Sequence, residues 1–420
     1  MNRNDRAITG FTMAGHGMVH TYELSVPILM TVWLVEFPVT TATLGTVVAV
    51  GYGLFGVGAL PGGLLVDRFG SRRLIVACLF GMGGSFLLLG VAPGVVGITI
   101  ALAVWGLAAS VYHPAGLALI SRGVEDRGRG FAYHGVAGNV GIAGGPLATT
   151  LALTAVGWRT VAGALVVPAA AGALYASRAE FDERAAVDEP RAGDATVEPD
   201  DSRSGPASIR SVLADSRALF AGPFALAFVV VVLSGLYYRG LLTFLPTVAG
   251  IVGGLPALAV GGATVDPGRY LYVGLLAVGV VGQYLGGRLS DAVHPTRVLP
   301  VGFAALCLLG LAYLPAASAG PVPFLAVTAA LGVCLFALQP LYQSTIAETT
   351  PADGRGLSYG YTYLGVFGVG AAGGAIAGAA LSYADPTTLF FLLAGIAAAA
   401  VAVATVLARR ATAPSVASSE

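Results

Sequence analysis

The sequence predicts an all-α integral membrane protein with about twelve transmembrane helices in two pseudo-symmetric six-helix halves. Three observations carry this reading. First, 56% of the 420 residues are hydrophobic and only 10% are charged, whereas a soluble domain carries roughly 25% charged residues. A soluble fold would have to hide far more apolar surface than it has interior for. Second, apolar stretches of about 20 residues, the length that crosses a bilayer, recur along the whole chain. Third, the second half repeats motifs of the first at a nearly constant offset.

Taken in order, hydropathy and helix breakers place spans near 8–36, 43–66, 73–92, 95–121, 130–154 and 158–177. A second set lies near 218–249, 269–290, 297–316, 320–346, 356–381 and 387–408. The segment 250–268, GIVGGLPALAVGGATVDPG, is apolar but broken by Gly and Pro, and reads as an outer loop. Between the sets, SRAEFDERAAVDEPRAGDATVEPDDSRSGPAS is acidic and almost free of large apolar residues. Such a segment cannot bury a core, and it reads as a disordered linker. The domain boundaries expected are 1–177 and 218–410 for the halves, 178–217 for a cytoplasmic linker and 411–420 for a disordered tail. The first segment has no cleavage site after a short apolar core and is expected to be retained.

Arginine placement tests the count. With the N-terminus in the cytoplasm, the inner ends hold Arg3, Arg6, Arg68, Arg72, Arg73, Arg122, Arg127 and Arg129. The linker arginines, Arg297, Arg355, Arg409 and Arg410 fall on the same side, leaving Arg159 and Arg269 outside. That bias is the positive-inside pattern, and a missed helix would scramble it. It predicts a multi-pass protein of the cell membrane with both termini cytoplasmic. Net charge is zero, so nothing points to nucleic acid. All 22 basic residues are arginine. Cys78, Cys307 and Cys334 are scattered through apolar segments with neither metal-ligand nor disulfide spacing.

The repeat is explicit. GGLLVD at 62–67 recurs as GGRLSD at 286–291, so Asp67 matches Asp291. HPAGLALISRGVEDRGRG at 113–130 recurs as QPLYQSTIAETTPADGRG at 339–356, with His113 on Gln339 and Pro114 on Pro340. Parallel six-helix repeats around a midplane site are a known transporter architecture.

GGLLVDRFGSRR resembles the loop signature of the major facilitator superfamily, between its second and third helices. Gly63, Asp67, Arg68, Gly70, Arg72 and Arg73 fit the signature, and Ser71 departs from it. The resemblance covers the chain outside linker and tail. It implies that this loop, with Asp291 in its second copy, acts as a cytoplasmic latch between the halves. Physically, Asp67 ends a helix whose dipole disfavours an anion. Arg68, Arg72 and Arg73 are expected to supply the compensating charge.

Inside the fifth span, Gly141, Gly145 and Pro146 match part of the G-x-x-x-G-P signature of drug–proton antiporters in that family, with Thr149 and Thr150 replacing its last glycines. A helix-packing face explains the same residues, since small residues let backbones approach. The His113-Pro114 pair, the first-helix histidines and TFLP after Arg239 resemble the fosmidomycin-resistance branch of exporters.

In GHGMVHTYELSVP, the spacing of His16, His20 and Glu23 puts all three on one helix face. Facing lipid they would be costly, so they are expected to face a water-filled cavity and to bind substrate or relay protons. H-x-x-x-H beside a carboxylate also suits a metal, and a satisfied structural network is a further alternative. No enzyme motif surrounds the trio, so neither metal nor cofactor is expected. Arg239, within the seventh span, either snorkels outward or meets Glu23 in the cavity. Asn139, Gln283, Gln339, Tyr342 and Gln343 are further polar candidates, each equally able to join helices.

The functional expectation is a monomeric secondary transporter, not an enzyme, which moves a small organic molecule across the lipid bilayer. It uses protons or another coupling ion, by proton-coupled antiport as the leading reading. Proton-linked or facilitated uptake of an organic anion or sugar is the runner-up, and a non-transporting sensor the alternative from another class. An arginine facing the cavity would favour an anionic or zwitterionic substrate.

Overall fold

The computed structural model describes residues 1–186, 209–350 and 355–412. The first half contains α1 (Arg3–Glu36), α2 (Thr41–Phe69), α3 (Ser71–Gly90), α4 (Val95–Ser110), α5 (Tyr112–Gly123), α6 (Arg127–Ala152), α7 (Trp158–Ala164) and α8 (Val166–Arg178). The second contains α9 (Ile209–Ala221), α10 (Phe224–Val252), β1 (Leu258–Val260), β2 (Ala263–Val265), α11 (Pro267–Ala292), α12 (Pro295–Ala319) and α13 (Pro321–Thr349). It ends with α14 (Arg355–Tyr363), a π-helical turn (Leu364–Val369), α15 (Ala372–Tyr383) and α16 (Pro386–Thr412).

Eleven helical stretches among the described residues are long and apolar enough to cross a membrane. The twelfth expected span is α6, with 26 residues. Its glycines, Arg127, Arg129, His134 and Asn139 dilute the apolar signal. Helix starts follow their caps. Asn2 accepts from the Asp5 N–H at 2.7 Å and Thr40 from that of Thr43 at 3.1 Å. Proline opens α11, α12 and α13, where a missing N–H costs nothing. Gly70, at φ +81°, makes the abrupt turn from α2 to α3.

Three spans are broken where a single helix was expected. The fourth divides at Val111 and the sixth at Leu165. Pro114 and Pro168 cannot donate to the carbonyls four residues earlier, at those breaks. The eleventh passes through the glycine-rich π turn. The 250–268 segment is also more ordered than an irregular loop. Leu258, Ala259 and Val260 pair with Val265, Thr264 and Ala263, and Gly261-Gly262, both at positive φ, make the hairpin turn. The linker reading is corrected at its end, because residues 209–217 lie in α9. Phe220 of that helix packs on Phe224, Phe228 and Tyr361, and Tyr361 donates to Ser216 at 2.9 Å. These contacts give the segment the apolar burial that the acidic stretch before it lacks. The linker reading is corrected at its start as well, because Phe181 packs on Phe11 and the Asn4 side chain bonds the Asp182 backbone. Residues 187–208 and the tail from 413 onward lie outside the described residues, while 411–412 belong to α16.

The halves pack alike. In the first, α1 lies on α6 and α2 on α4; in the second, α10 lies on α15 and α11 on α13. Across the interface, α2 runs beside α14, the π turn and α15, and α6 runs beside α11. Glycine permits the closest approach. A Cβ on Gly45 would come within 2.5 Å of the Gly374 carbonyl oxygen.

Candidate functional site

A cavity of about 700 Å³ lies between the halves. His16, His20 and Glu23 from α1, His113 from α5 and His134 from α6 line its first-half wall. Gln283, Gln339, Gln343, Tyr238 and Tyr363 line the opposite wall. Glu23 is the sole carboxylate in the wall among the described residues, and no arginine lines it.

The polar groups form a chain. The His16 Nδ1 sits 2.7 Å from the His134 carbonyl oxygen. A carbonyl only accepts, so Nδ1 carries the proton. The Nε2 atoms of His16 and His20 are 3.1 Å apart. His20 Nδ1 then meets a Glu23 carboxylate oxygen at 2.7 Å. The other Glu23 oxygen accepts from the Arg239 guanidinium of α10, and both side chains are 1% exposed. Burial at this level excludes snorkelling. The Arg239 guanidinium carbon lies 3.7 Å from the centre of the Tyr52 ring. Tyr52 also donates to the Glu23 carbonyl oxygen at 2.7 Å. The ring therefore satisfies the arginine face while its hydroxyl fixes the α1 backbone.

His113 stands at the same level, with its ring centre 5.4 Å from that of His16 and 5.8 Å from that of His20. Its Nδ1 is buried with no hydrogen-bond partner among the described residues, as are Asn139 Oδ1 and Gln283 Oε1. Gln283 donates to Gln339 at 3.3 Å, joining α11 to α13. His134 was not singled out in the sequence. It lies in the Gly-rich fifth span, and only packing shows that its ring stacks on His16 at 3.8 Å. Gly141 and Gly145 face the α1 backbone at Gly17 and Thr21. The signature residues of α6 thus set the distance between the helices that carry His16 and His134, and Pro146 is buried in the same helix.

The cavity is open at one end and tied at the other. Among the described residues, the hydrogen bonds joining the halves lie at or beyond the level of Glu23. They are Glu23–Arg239, Tyr272 to the Leu24 carbonyl at 3.2 Å, Arg269 to Thr31 at 3.1 Å, Thr41 with Gly378 and Ser382 at 2.9 and 2.7 Å, and the Ala42 N–H to the Ser382 hydroxyl at 2.7 Å. The opposite end carries Asp67. Its ion pair is with Arg122 of α5, at 2.8 Å, which corrects the expectation of Arg68, Arg72 and Arg73. The Gly70 turn directs the start of α3 away. Arg72 donates to the Ala176 carbonyl at 2.5 Å and stacks on Phe181, and Arg68 lies over Phe69. The last turn of α5 runs beside that of α2 and brings Arg122 instead. Gly63 lines the cavity mouth.

These features define a polytopic membrane protein with a central cavity between two homologous bundles. The chain belongs to the Major Facilitator Superfamily, whose family model matches residues 9–366 and 269–420. It is a membrane transporter of that family. It is 36% identical over 108 residues to puromycin resistance protein pur8 of Streptomyces alboniger, covering 25% of this chain and 22% of that one. It is 29% identical over 147 residues to a multidrug resistance protein B homolog of Mycobacterium tuberculosis, covering 34% and 27%. The matched stretches thus span about a quarter of these relatives' own lengths. In fold it resembles the nucleoside transporter NupG, with a TM-score of 0.75 at 12% identity over 96% of this chain and 99% of that one. A bacterial homolog of the lysosomal transporter Spinster, described as inward-facing and occupied, gives 0.71 at 15% identity over 97% and 98%.

Proposed function

We propose that this transporter exports a small organic molecule across the cell membrane by proton-coupled antiport, as a monomer with both termini cytoplasmic. The observation that carries the reading is the buried Glu23–Arg239 pair, which ties the halves beyond the cavity. Glu23 is one anion with three possible claimants: Arg239, a proton and a substrate donor. While Glu23 is ionised and unclaimed, Arg239 holds it and the carrier stays open toward the Asp67 end. A substrate that engages Glu23 and His20 weakens the tie and lets the far end open. There a proton replaces the substrate, and neutral Glu23 permits return. A lock on the unloaded, deprotonated carrier suits an exchanger. A symporter needs its unloaded carrier to cross freely.

Resistance proteins among the relatives support export, and the arginine bias supports a cytoplasmic Asp67 end. In this scheme Asp67 pairs with Arg122 of its own half while that end is open, and the latch between the halves forms when that end closes. The anionic substrate expected from sequence needs Arg239 in the cavity wall, but Arg239 lies beneath Tyr52 and Glu23 faces the cavity. The reading therefore favours a cationic or neutral amphiphile, held by the aromatic and amide side chains. Proteoliposomes loaded with candidate compounds, assayed with and without a pH gradient, test it. Gradient-driven movement of an organic cation is expected. Flux indifferent to the gradient would contradict the coupling.

A further inference from the structure

We propose that His16, His20 and His113 form a binding site for one transition-metal cation of the Zn²⁺ class. The proposal is independent of the direction or coupling of transport. It begins with a conflict between lone pairs. His16 Nδ1 donates to a carbonyl, at 2.7 Å. His20 Nδ1 faces a carboxylate that Arg239 also engages, so it too donates. Neutral rings then present two lone pairs at their Nε2 atoms, which are 3.1 Å apart. Two acceptors at that distance repel unless a cation lies between or beside them.

A proton alone would settle two rings, but a third imidazole is present. The candidate ligand atoms of His16, His20 and His113 all lie within 4.8 Å of one another. His113 is 6% exposed and its Nδ1 has no partner among the described residues. That nitrogen thus holds no bond that an ion would have to break. Zn–N bonds of about 2.0–2.1 Å at tetrahedral angles separate ligand nitrogens by roughly 3.4 Å. The His16–His20 pair is already near that spacing, and His113 needs a movement of roughly an ångström.

The surroundings match a metal centre in a second way. Metal-bound imidazoles usually donate their other N–H to a carbonyl or a carboxylate. His16 does the first and His20 the second. Three nitrogen donors select borderline ions such as Zn²⁺, Co²⁺ or Ni²⁺. They disfavour Mg²⁺ and Ca²⁺, which take oxygen. All three histidines line the cavity, so an ion has an entry path, and a fourth ligand position faces the open space. The H-x-x-x-H spacing with Glu23 nearby suits a metal in the sequence, but in the fold Glu23 is engaged by His20 and Arg239, and α5 supplies the third ligand as His113.

Untagged full-length protein in detergent micelles, titrated with Co²⁺, tests the assignment. One Co²⁺ per chain is expected, with the intense visible absorption of a tetrahedral, nitrogen-ligated ion, displaced by Zn²⁺. His16→Gln and His113→Gln should each weaken binding by at least about tenfold. His294→Ala, remote from the cluster, should leave it unchanged. X-ray absorption at the zinc edge of the wild-type protein should show three imidazoles, and decides the matter should a variant fail to fold. Absent binding, binding insensitive to His113→Gln, or fewer than three imidazoles would overturn the proposal. Because binding is read without flux, its failure leaves the transport reading standing, and the converse holds.

Discussion

Where the first half sets Arg122 against Asp67, the second half carries Glu348 and Asp291 at the aligned positions. The repeat offsets that align Asp67 with Asp291 also align Arg122 with Glu348. In the first half the positions form an ion pair at 2.8 Å. In the second both are acidic, and Glu348 instead lies 3.7 Å from His294. The cavity shows the same divergence. His113 of the first half corresponds to Gln339 of the second. The first half thus contributes every cavity histidine and the cavity carboxylate, while the second contributes amides, aromatic rings and the fixed cation Arg239. Duplication kept the packing and let the chemistry specialise. Titratable groups gathered on one bundle and the group that answers them on the other, and in the proposed scheme a protonation change in one half alters its grip on its partner.

The largest expected effect comes from unbalancing the central pair. Arg239→Ala leaves a buried carboxylate without its cation, and breaking such a pair costs about 3–5 kcal/mol. Expression or melting temperature should fall sharply, and Glu23→Gln in the same chain should recover part of the loss. Failure of that rescue would mean that the two residues act separately. Glu23→Gln alone keeps the side-chain shape and loses the titration. It should abolish accumulation against a gradient while some substrate exchange survives, as read by counterflow in proteoliposomes. Arg239→Lys keeps the charge but loses the planar fork and its stacking on Tyr52. Flux about tenfold below wild type is expected, consistent with loss of roughly 1.4 kcal/mol.

Smaller effects should separate the two copies of the proposed latch. Exposed ion pairs contribute only about 0–1 kcal/mol, so Asp67→Asn should leave expression intact. It should still change cysteine labelling from the two membrane sides and slow flux severalfold, because it removes a contact made in one carrier state. Asp291→Asn should do much less, since its half has Glu348 where Arg122 would be. Equal effects at both sites would contradict the asymmetry. Gly145→Ala should cost more than either of these exposed changes, because it sets a side chain against the α1 backbone. A Cβ there would stand 2.6 Å from Thr21 Cα, so α6 must shift from α1, and binding at His16 should weaken without loss of the gradient dependence.

The spans, the duplication and the α1 trio were legible because their signals are local: apolar runs, repeated strings, and residues spaced by one helical turn. What stayed hidden depends on which helices become neighbours. Arg122 is 55 residues from Asp67, and nothing in the GGLLVDRFGSRR string favours it over the three adjacent arginines. His134 sits in a glycine-rich helix, and only the close approach that Gly138 and Gly141 allow brings its ring over His16. The breaks at Val111 and Leu165 were marked by Pro114 and Pro168, yet hydropathy runs smoothly across both. The Gly261-Gly262 hairpin was signalled by its turn residues but masked by the irregular apolar segment around it.

Proton release on substrate binding tests the central claim most directly. Purified protein in weakly buffered detergent, first protonated at low pH and then given a transported cation, should release close to one proton per bound substrate. The Glu23→Gln variant should release almost none. Equal release from both proteins, or substrate binding that takes up protons in the wild type, would contradict competition at Glu23 and the antiport built on it.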